Sequence, residues 1–345
     1  MPLPTEHVLG ILVDNLLRRK SVLKLSSRTA TKWAQGLNIP RGGETVLYTG
    51  HMYQLIPAIS ALAAKMAFFE NSWITKFFGL GRFVNKFINL AWFMARTDSR
   101  ETKRYNNVLR NIARVLQAAD VDFGYLYEDE MYSGALVHDE GVDDAFKQHA
   151  QRVFEVFKRK GVKYAITVDP HTTNMLRSVY PKYVEDYELK VKSYLEVLAE
   201  INMEARQTLD LNITIHDSCV YTRYEDVVRE PRQLLRKAGA TINEPEYAGK
   251  LTHCCGGPIE SFFPGKAQAI ANKRIEQLAA AGGNIVAMCP ICLVNLKHAA
   301  RNKNIEINDI SEYLVEAYCG TSVPKFSPTA DSSYLDNEVV THGRN

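Results

Sequence analysis

The sequence predicts an α/β fold of two pseudo-repeated, Rossmann-like halves, each with a parallel sheet and flanking helices. Two observations lead to this prediction. Short apolar runs typical of buried strands alternate with longer segments of helical period, which is typical of parallel βαβ units. The order of strands and polar loops in the first half also recurs in the second half, which indicates an internal duplication. We therefore expect functional residues at the carboxyl edges of the sheets, where open α/β sheets bind ligands.

Local signals place the elements along the chain. Residues 1–43 are predicted to be a helical lead-in that ends at a run of Pro, Arg and Gly residues. Apolar runs predict strands at residues 45–50, 122–127, 163–168, 212–217 and 284–289. Helical periodicity covers residues 143–161, 189–209 and 266–282. Residues 323–345 are rich in Ser, Thr, Asp and Asn and are predicted to be a tail.

Composition and charge exclude several classes of protein. The 345 residues are 46% apolar, which allows a substantial core and excludes bulk disorder. The net charge of +3 is too small to indicate a nucleic-acid partner. The N-terminus lacks the features of a secretory signal, and no apolar run reaches the roughly 18 residues of a transmembrane helix. We therefore expect a cytoplasmic protein.

Residues 54–97 are apolar and cationic, and two interpretations of this segment stay open. Its charges are five Lys or Arg residues against Glu70 alone. The segment could form a pair of core helices. It could instead dock a protein partner or a membrane surface, because cationic amphipathic helices bind anionic interfaces. The second interpretation would add a membrane association through a complex to the expected cytoplasmic location.

The cysteines are confined to the second half of the chain, and five of them form a pattern. These five are Cys219, Cys254, Cys255, Cys289 and Cys292. Each group follows an apolar run, so thiolates from three loops could meet at one point of the sheet edge. Three explanations are open: small buried residues, a structural zinc site and an iron–sulfur cluster. We favour the cluster, because zinc would leave one thiol idle and simple burial does not explain the organised spacing. Cys319 lies outside the pattern and is predicted to be structural.

The cysteine pattern resembles that of a known family. Cys-x34-Cys-Cys-Gly-x32-Cys-Pro-x-Cys, which includes Gly256 and Pro290, is similar to the cysteine-rich (CCG) domain of the B-type component of heterodisulfide reductase. Similar domains occur in lactate-utilisation, glycerol-3-phosphate and succinate oxidoreductase subunits. The resemblance covers about residues 44–320.

The resemblance implies a cofactor and a function. In that family an intact motif holds a noncubane 4Fe-4S cluster through five cysteines, and the heterodisulfide reductase component uses two such clusters to split a heterodisulfide. The five cysteines would thus be cluster ligands in an oxidoreductase acting on sulfur groups within a heterodisulfide reductase-like complex. Its partners would be a ferredoxin-like 4Fe-4S subunit and a flavin subunit. A quinone-linked dehydrogenase subunit, of the lactate, glycerol-3-phosphate or succinate type, and a zinc-stabilised scaffold without redox activity are the alternatives.

The first half of the chain departs from the family pattern. The positions that would hold ligands are occupied by His51, Met131-Tyr132, Asp169 and Thr172. We therefore expect one cluster rather than two. His51, Asp169, His138 and His171 could form a metal site by residue type, although vestigial loops or a polar substrate pocket are favoured.

Two histidines of the second half are candidate catalytic residues. His216 and His253 flank the predicted ligand loops and could donate hydrogen bonds or protons.

The predicted domains follow from these assignments. They are a lead-in at 1–43, a degenerate CCG-like domain at 44–205 with a helical insertion at 54–110, an intact cluster-binding domain at 206–322 and a tail at 323–345.

Overall fold

The protein has two parallel sheets flanked by helices, which confirms the predicted fold class. The computed structural model describes residues 5–69, 99–260, 262–301 and 303–320. Strand and helix alternate along most of the chain, as the apolar runs predict.

The first sheet contains three strands in the order β1-β2-β3. β1 is Thr45–Tyr48, β2 is Tyr164–Thr167 and β3 is Lys190–Ser193. Isolated parallel bridges also place Gly124 and Tyr125 beside β1 and the residues before it. β1 and β2 are each buried over three of their four residues, as expected for strands covered on both faces.

The second sheet contains four strands in the order β5-β4-β6-β7. β4 is Asn212–Ile215, β5 is Thr241–Asn243, β6 is Asn284–Ala287 and β7 is Ile307–Asp309. The series β4-β6-β7 repeats the order β1-β2-β3, and β5 takes the place of the bridging segment at Gly124. This agreement supports the predicted duplication.

Helices connect and cover the strands. They are α1 (Thr5–Arg19), α2 (Ser27–Thr31), α3 (Met52–Phe69), α4 (Ser99–Ala118), α5 (Ala135–Asp139), α6 (Asp143–Lys160), α7 (Pro170–Asn174), α8 (Tyr194–Ile201), α9 (Cys219–Tyr224), α10 (Arg229–Lys237), α11 (Pro264–Ala281), α12 (Pro290–Ala300) and α13 (Ile310–Cys319). The last strand of each sheet leads into a helix through a capping box. Ser193 and Glu196 form the box of α8, and Asp309 and Glu312 form that of α13.

Two predicted elements are wrong in detail. The segment 189–209 is not one helix, because β3 occupies its start and α8 ends at Ile201, before Asn202 with a left-handed φ of 57°. The run 122–127 forms isolated bridges rather than a strand. In both cases four to six residues are too few for periodicity to identify the element.

The described residues form two apolar core clusters, of which the larger extends across the two sheets and joins the two halves of the chain. It includes Leu47 and Ile166 from the first sheet and Ile213 and Ile285 from the second. α4 packs against α13 and closes this core.

Two sequence segments lie wholly or partly outside the described residues. Of the predicted insertion 54–110, the structure describes α3 up to Phe69 and α4 from Ser99 onward. Residues 70–98 and the predicted tail 323–345 lie outside the described ranges. The interpretations of 54–97 and the domain boundaries therefore stay predictions.

Candidate metal centre

Three loops that follow strands of the second sheet carry the five cysteines. Cys219 begins α9 shortly after β4. Cys254 and Cys255 lie in the loop between β5 and α11. Cys289 is the N-cap residue of α12 directly after β6, and Cys292 lies in the first turn of that helix. The parallel sheet thus brings together residues that are far apart in the sequence.

The five thiols influence one another's pKa values. Each thiol shifts the pKa of the next in the order Cys219, Cys254, Cys255, Cys292, Cys289. Cys255, Cys289 and Cys292 are buried, Cys219 and Cys254 are half-buried, and all are free thiols. The group is therefore closed to water on the side of α12 and accessible at Cys219 and Cys254.

The loop of the vicinal pair favours a thiolate at Cys254. Interactions with Cys219 and Cys255 hold the pKa of the Cys254 thiol well below its usual range. The backbone N–H of Gly256 also donates to this sulfur, over 3.3 Å. Gly256 has a φ of 85°, a left-handed conformation that glycine adopts without strain. The CCG sequence thus aims a backbone donor at one of the sulfurs.

The start of α12 favours a second thiolate. Burial raises the pKa of the Cys289 thiol, but interactions with Cys292 and His171 outweigh burial, and its pKa lies well below the usual range. A helix N-terminus also stabilises negative charge. Thiolates are the form of cysteine that binds metals.

His216 places a buried nitrogen beside the sulfurs. It forms a group with Cys255 and Cys292 in which the candidate ligand atoms all lie within 4.8 Å of one another. Arg274 Nε donates to His216 Nδ1 over 3.1 Å, so the neutral ring carries its proton on Nε2. Burial and then the charge of Arg274 lower the pKa of His216 to about 3, which keeps the ring neutral. Because Nε2 is buried and makes no hydrogen bond within the described part of the chain, His216 offers an N–H donor at the site.

Arg274 is a fully buried cation behind His216. Its other hydrogen bonds go to the Tyr247 carbonyl, Gln277 Oε1 and Thr252 Oγ1, at 2.9 to 3.3 Å. Among the described residues it makes no ion pair with a carboxylate. Sequence reasoning missed this residue, because an arginine in a helix such as α11 ordinarily faces solvent.

His253, the second predicted catalytic histidine, has a different environment. It is half-buried, and its Nδ1 lies 3.2 Å from the carbonyl oxygen of Cys254. It does not belong to the group of His216, Cys255 and Cys292. Its catalytic role stays a prediction.

An ion-pair brace holds the Cys219 loop against the loop of the vicinal cysteines. Arg232 donates to both carboxylate oxygens of the fully buried Asp217, each over 2.8 Å, and also pairs with Glu244. Asp217 in turn accepts the backbone N–H of Gly249 over 2.6 Å, and its carbonyl accepts the hydroxyl of Thr252. The relative position of the two loops therefore depends on Asp217.

His171 of the first half lies in α7, with its Nδ1 3.0 Å from Asp139 Oδ2. Burial lowers the pKa of His171, but interactions with Asp139 and Cys289 outweigh burial and raise it well above its usual range. Sequence alignment of the two halves places His171 opposite Ile291.

The loops of the first half converge as those of the second half do. Thr172 and Ser133 lie so close to Gly50 that a Cβ there would come within 2.3 Å of Thr172 Oγ1 and 3.0 Å of Ser133 Cβ. Asp169 caps α7 and burial raises its pKa to about 6, while burial lowers the pKa of His51 to about 3. Within the described part of the chain, these side chains form no metal-ligating group of the kind found at His216.

The donors of the second half fit an iron–sulfur cluster. Iron–sulfur clusters bind cysteine thiolates, and the combined unit is anionic. The site provides five free cysteines, the N–H of His216 and the buried cation of Arg274, which forms no ion pair with a carboxylate of the described ranges. Clustered cysteines with this surrounding charge indicate an iron–sulfur cluster. Cys319 lies at the end of α13, outside this group of five cysteines.

Residues 213–297 match the CCG cysteine-rich domain. The matched range runs from β4 into α12 and contains all five cysteines of the site. It also contains His216 and Arg274. The family match and the group of five cysteines thus coincide.

Similar proteins are named as iron–sulfur proteins or oxidoreductases. The chain is 31% identical over 232 residues to an EtfAB:quinone oxidoreductase of Syntrophomonas wolfei, covering 62% of this chain and 32% of that protein. It is 29% identical to a probable iron–sulfur-binding oxidoreductase, FadF, of Bacillus subtilis, covering 69% and 35%. It is 26% identical to one component of the dihydromethanophenazine:CoB–CoM heterodisulfide reductase of Methanosarcina mazei, covering 59% and 54%. The chain spans about a third of the length of the first two relatives.

One further relative, from Chromohalobacter salexigens, is named a probable membrane-anchored ferredoxin. In this chain, among the described residues, no helix combines the length and the apolar character needed to cross a bilayer.

Proposed function

The chain carries a CCG cysteine-rich domain like that of heterodisulfide reductase-type proteins, and from this we propose that it is an iron–sulfur oxidoreductase subunit. It binds one noncubane 4Fe-4S cluster through Cys219, Cys254, Cys255, Cys289 and Cys292. It acts in thiol, disulfide or other sulfur-linked electron transfer. The observation that carries the proposal is that the residues matching the cysteine-rich domain contain all five cysteines, two of which lie with His216 in a group whose candidate ligand atoms are within 4.8 Å of one another.

The number of sulfurs favours the noncubane cluster over other metal sites. A tetrahedral zinc or an ordinary cubane uses four thiolates. Here Cys255 belongs to the group with His216 and Cys292, and the pKa of the neighbouring Cys254 thiol is lowered by Cys219 and Cys255, so both vicinal cysteines belong to the site. A five-ligand cluster would use both.

When bound, the cluster supplies one-electron transfer at sulfur. The protein's own residues provide the surroundings for this chemistry. His216 offers an N–H donor, and Arg274 fixes its tautomer and offsets the negative charge of the thiolates. The buried Cys255, Cys289 and Cys292 exclude water from one side, while the partly exposed side at Cys219 and Cys254 admits a substrate or partner.

A single cluster constrains the reaction. Reduction of a disulfide to two thiols consumes two electrons and two protons, so this chain would need to receive the electrons one at a time from a partner. We propose a ferredoxin-like 4Fe-4S protein as that partner, with a flavin protein supplying it in turn. This agrees with relatives that are named as subunits of reductases. Residues 54–97 are the segment that we propose for contact with a membrane surface.

A second candidate is an electron-transfer subunit linked to quinone. The observation that favours it is the relative named EtfAB:quinone oxidoreductase, at 31% identity. In this case the same cluster would pass electrons onward and no sulfur substrate would bind. The five cysteine ligands and the role of Arg274 would be the same.

Metal analysis of anaerobically purified protein tests the proposal. We expect a brown protein with about four irons and a matching amount of acid-labile sulfide per chain, and an electron paramagnetic resonance signal in one oxidation state. Colourless protein with one zinc and no iron would contradict the proposal and favour a zinc-stabilised scaffold.

Two cysteine variants provide the matched comparison. Cys255→Ala removes a buried sulfur from the group of five cysteines and should remove the cluster or its unusual spectrum. Cys319→Ala removes a half-buried cysteine outside that group and should leave iron content and spectrum unchanged. An unchanged spectrum in Cys255→Ala would refute the five-ligand assignment.

Substrate assays then separate the two candidates. Oxidation of the reduced, iron-loaded protein by a disulfide, but not by a soluble quinone, supports the sulfur-linked function. The reverse result supports the quinone-linked function.

A further inference from the structure

A buried cation lies directly behind the sulfurs of the second half. Arg274, on α11, is 0% exposed, and His216 is 1% exposed. Arg274 Nε donates to His216 Nδ1 over 3.1 Å. A ring nitrogen of His216 lies within 4.8 Å of the sulfurs of Cys255 and Cys292. The guanidinium is therefore separated from these sulfurs by no more than one imidazole ring.

The other hydrogen bonds of Arg274 do not neutralise its charge. They go to neutral oxygens, namely the carbonyl of Tyr247 over 2.9 Å, Oε1 of Gln277 over 3.1 Å and Oγ1 of Thr252 over 3.3 Å. No carboxylate in the described part of the chain forms an ion pair with Arg274, and the buried Asp217 is already paired with Arg232. Buried charges in proteins are ordinarily paired. The thiolates of the site are the negative groups that remain to balance this cation.

The same hydrogen bonds fix the guanidinium in place. Thr252 lies two residues before Cys254, and its hydroxyl donates to the carbonyl oxygen of Asp217 over 2.9 Å while it accepts from Arg274. The carbonyl of Tyr247 belongs to the same segment between β5 and α11. Arg274 is thus anchored to the loop that carries the vicinal cysteines as well as to the ring of His216.

We propose that Arg274 is a positioning residue that holds the ring of His216 against the sulfur site, keeps a fixed positive charge behind it and thereby raises the reduction potential of the cluster. This inference rests on the proposed function, because it assumes that the cysteines bind a redox-active cluster. The guanidinium remains charged at every pH at which the protein is folded, so this role requires no change of protonation.

The physical basis is the charge that reduction adds to the cluster. A fixed cation stabilises the reduced, more negative state more than the oxidised state, and net charge is one of the factors that set cluster potentials. At an effective dielectric constant of about 20, a unit charge about 10 Å away changes such an equilibrium by roughly tenfold. A buried charge is also screened much less by salt than an exposed one.

Three variants test the inference in the full-length, anaerobically purified protein. Arg274→Met removes the charge and the hydrogen bonds, and Arg274→Lys keeps the charge but loses the Nε–H donor. Lys273→Met is the matched control, because it removes the same charge from the neighbouring, exposed position of α11. Iron content and the midpoint potential, from a redox titration followed by electron paramagnetic resonance, are measured for each.

We expect all three variants to retain iron, with midpoint potentials in a graded order. The reduction equilibrium should become about tenfold less favourable in Arg274→Met, which is about 59 mV for a one-electron couple. Arg274→Lys should show less than half of this shift, and Lys273→Met none. The shift in Arg274→Met should persist at about 0.5 M salt, because the charge is buried. A merely structural role for Arg274 would change iron content or thermal stability without this order of potentials.

The outcomes separate this inference from the proposed function. Wild-type protein without iron would overturn both. Iron-loaded Arg274→Met with the wild-type potential would overturn the inference alone, and so would an equal shift in Arg274→Met and Lys273→Met. If Arg274→Met fails to fold, the neutral but polar Arg274→Gln replaces it in the comparison with Arg274→Lys, and the same criterion decides.

Discussion

Removal of the Arg232 side chain tests whether the brace at Asp217 positions the cysteine loops. Asp217 is fully buried and receives two 2.8 Å hydrogen bonds from Arg232, while Glu244, the other partner of Arg232, has a side chain that is 39% exposed. In Arg232→Met, Glu244 can turn to solvent at little cost. Asp217 cannot turn to solvent, because it lies between β4 and Cys219 and its carboxylate also accepts the N–H of Gly249.

The magnitude follows from the different exposure of the two carboxylates. Breaking a buried ion pair by removing one partner costs about 3–5 kcal/mol, because a buried charge is left uncompensated. The exposed pair with Glu244 adds at most about 1 kcal/mol. We therefore expect Arg232→Met to lower the free energy of unfolding by about 3–5 kcal/mol and to reduce iron content, since the Cys219 and Cys254 loops lose their common anchor.

Urea unfolding followed by circular dichroism measures the loss, and two further variants show its origin. Lys250→Met removes an ion pair with Asp226 in the same region, but both side chains are more than half exposed, so less than about 1 kcal/mol should be lost. The double variant Arg232→Met with Asp217→Asn replaces the stranded carboxylate by a neutral amide and should recover part of the stability. A loss below about 1 kcal/mol in Arg232→Met, or no recovery in the double variant, would refute this reasoning.

Two further predictions concern the ligand loop and the first half. Gly256→Ala should lower the free energy of unfolding by about 1–3 kcal/mol and lower the iron content, because φ is 85° and the new Cβ would lie 2.4 Å from the Ala267 carbonyl oxygen. Gly265→Ala is the control, since nothing lies within 4 Å of the new Cβ. Equal effects of the two substitutions would contradict the prediction. Burial raises the pKa of Glu130 from 4.5 to about 7, so the folded protein retains the carboxyl proton to a higher pH than the unfolded protein. The free energy of unfolding should therefore fall as the pH rises from about 4.5 to about 7, by at most about 1.4 kcal/mol per pH unit. Glu130→Gln should remove this part of the pH dependence of the unfolding free energy, measured by urea titrations at several pH values. An unaltered slope of unfolding free energy against pH would contradict the assignment of this slope to Glu130.

The sequence predicts the buried strands of the two repeats but not the short, partly exposed strand β3. β1, β2, β4 and β6 lie where apolar runs occur, because a strand buried on both faces must be apolar throughout. β3 has the sequence KVKS and is partly exposed, so its pattern merges with the helix that follows. The capping box at Ser193 and Glu196 is the local signal that could have separated the two.

Only some residues of the candidate site could likewise be predicted from the sequence. The five cysteines are evident from spacing, and His216 from its place beside them. Arg274 and Arg232 are not evident, because each lies on a helix where a charged residue is ordinarily solvent-exposed. Their burial is a consequence of how α10 and α11 pack against the loops that follow β4 and β5. Local sequence patterns do not contain that information.

The electrostatic surroundings of the two repeats differ, and this supports the expectation of one cluster independently of the missing cysteines. In the second half, buried donors face the sulfurs, namely the N–H of His216 and the cation of Arg274. In the first half, the residue before Met131-Tyr132 is Glu130, a buried carboxylate 3.4 Å from His51 Nε2. Glu130 already accepts the backbone N–H groups of Thr49 and Gly50, which are the donors nearest to the first ligand position.

An anionic cluster in the first half would therefore face a buried carboxyl group rather than a cation. Because burial raises the pKa of Glu130 to about 7, this group supplies no positive charge when protonated and repels the cluster when ionised. Restoring cysteines at the positions of His51, Asp169 and Thr172 would leave Glu130 in place, so the cysteines alone would not recreate the surroundings found in the second half. The first repeat therefore differs from the second in its buried titratable groups as well as in its candidate ligands.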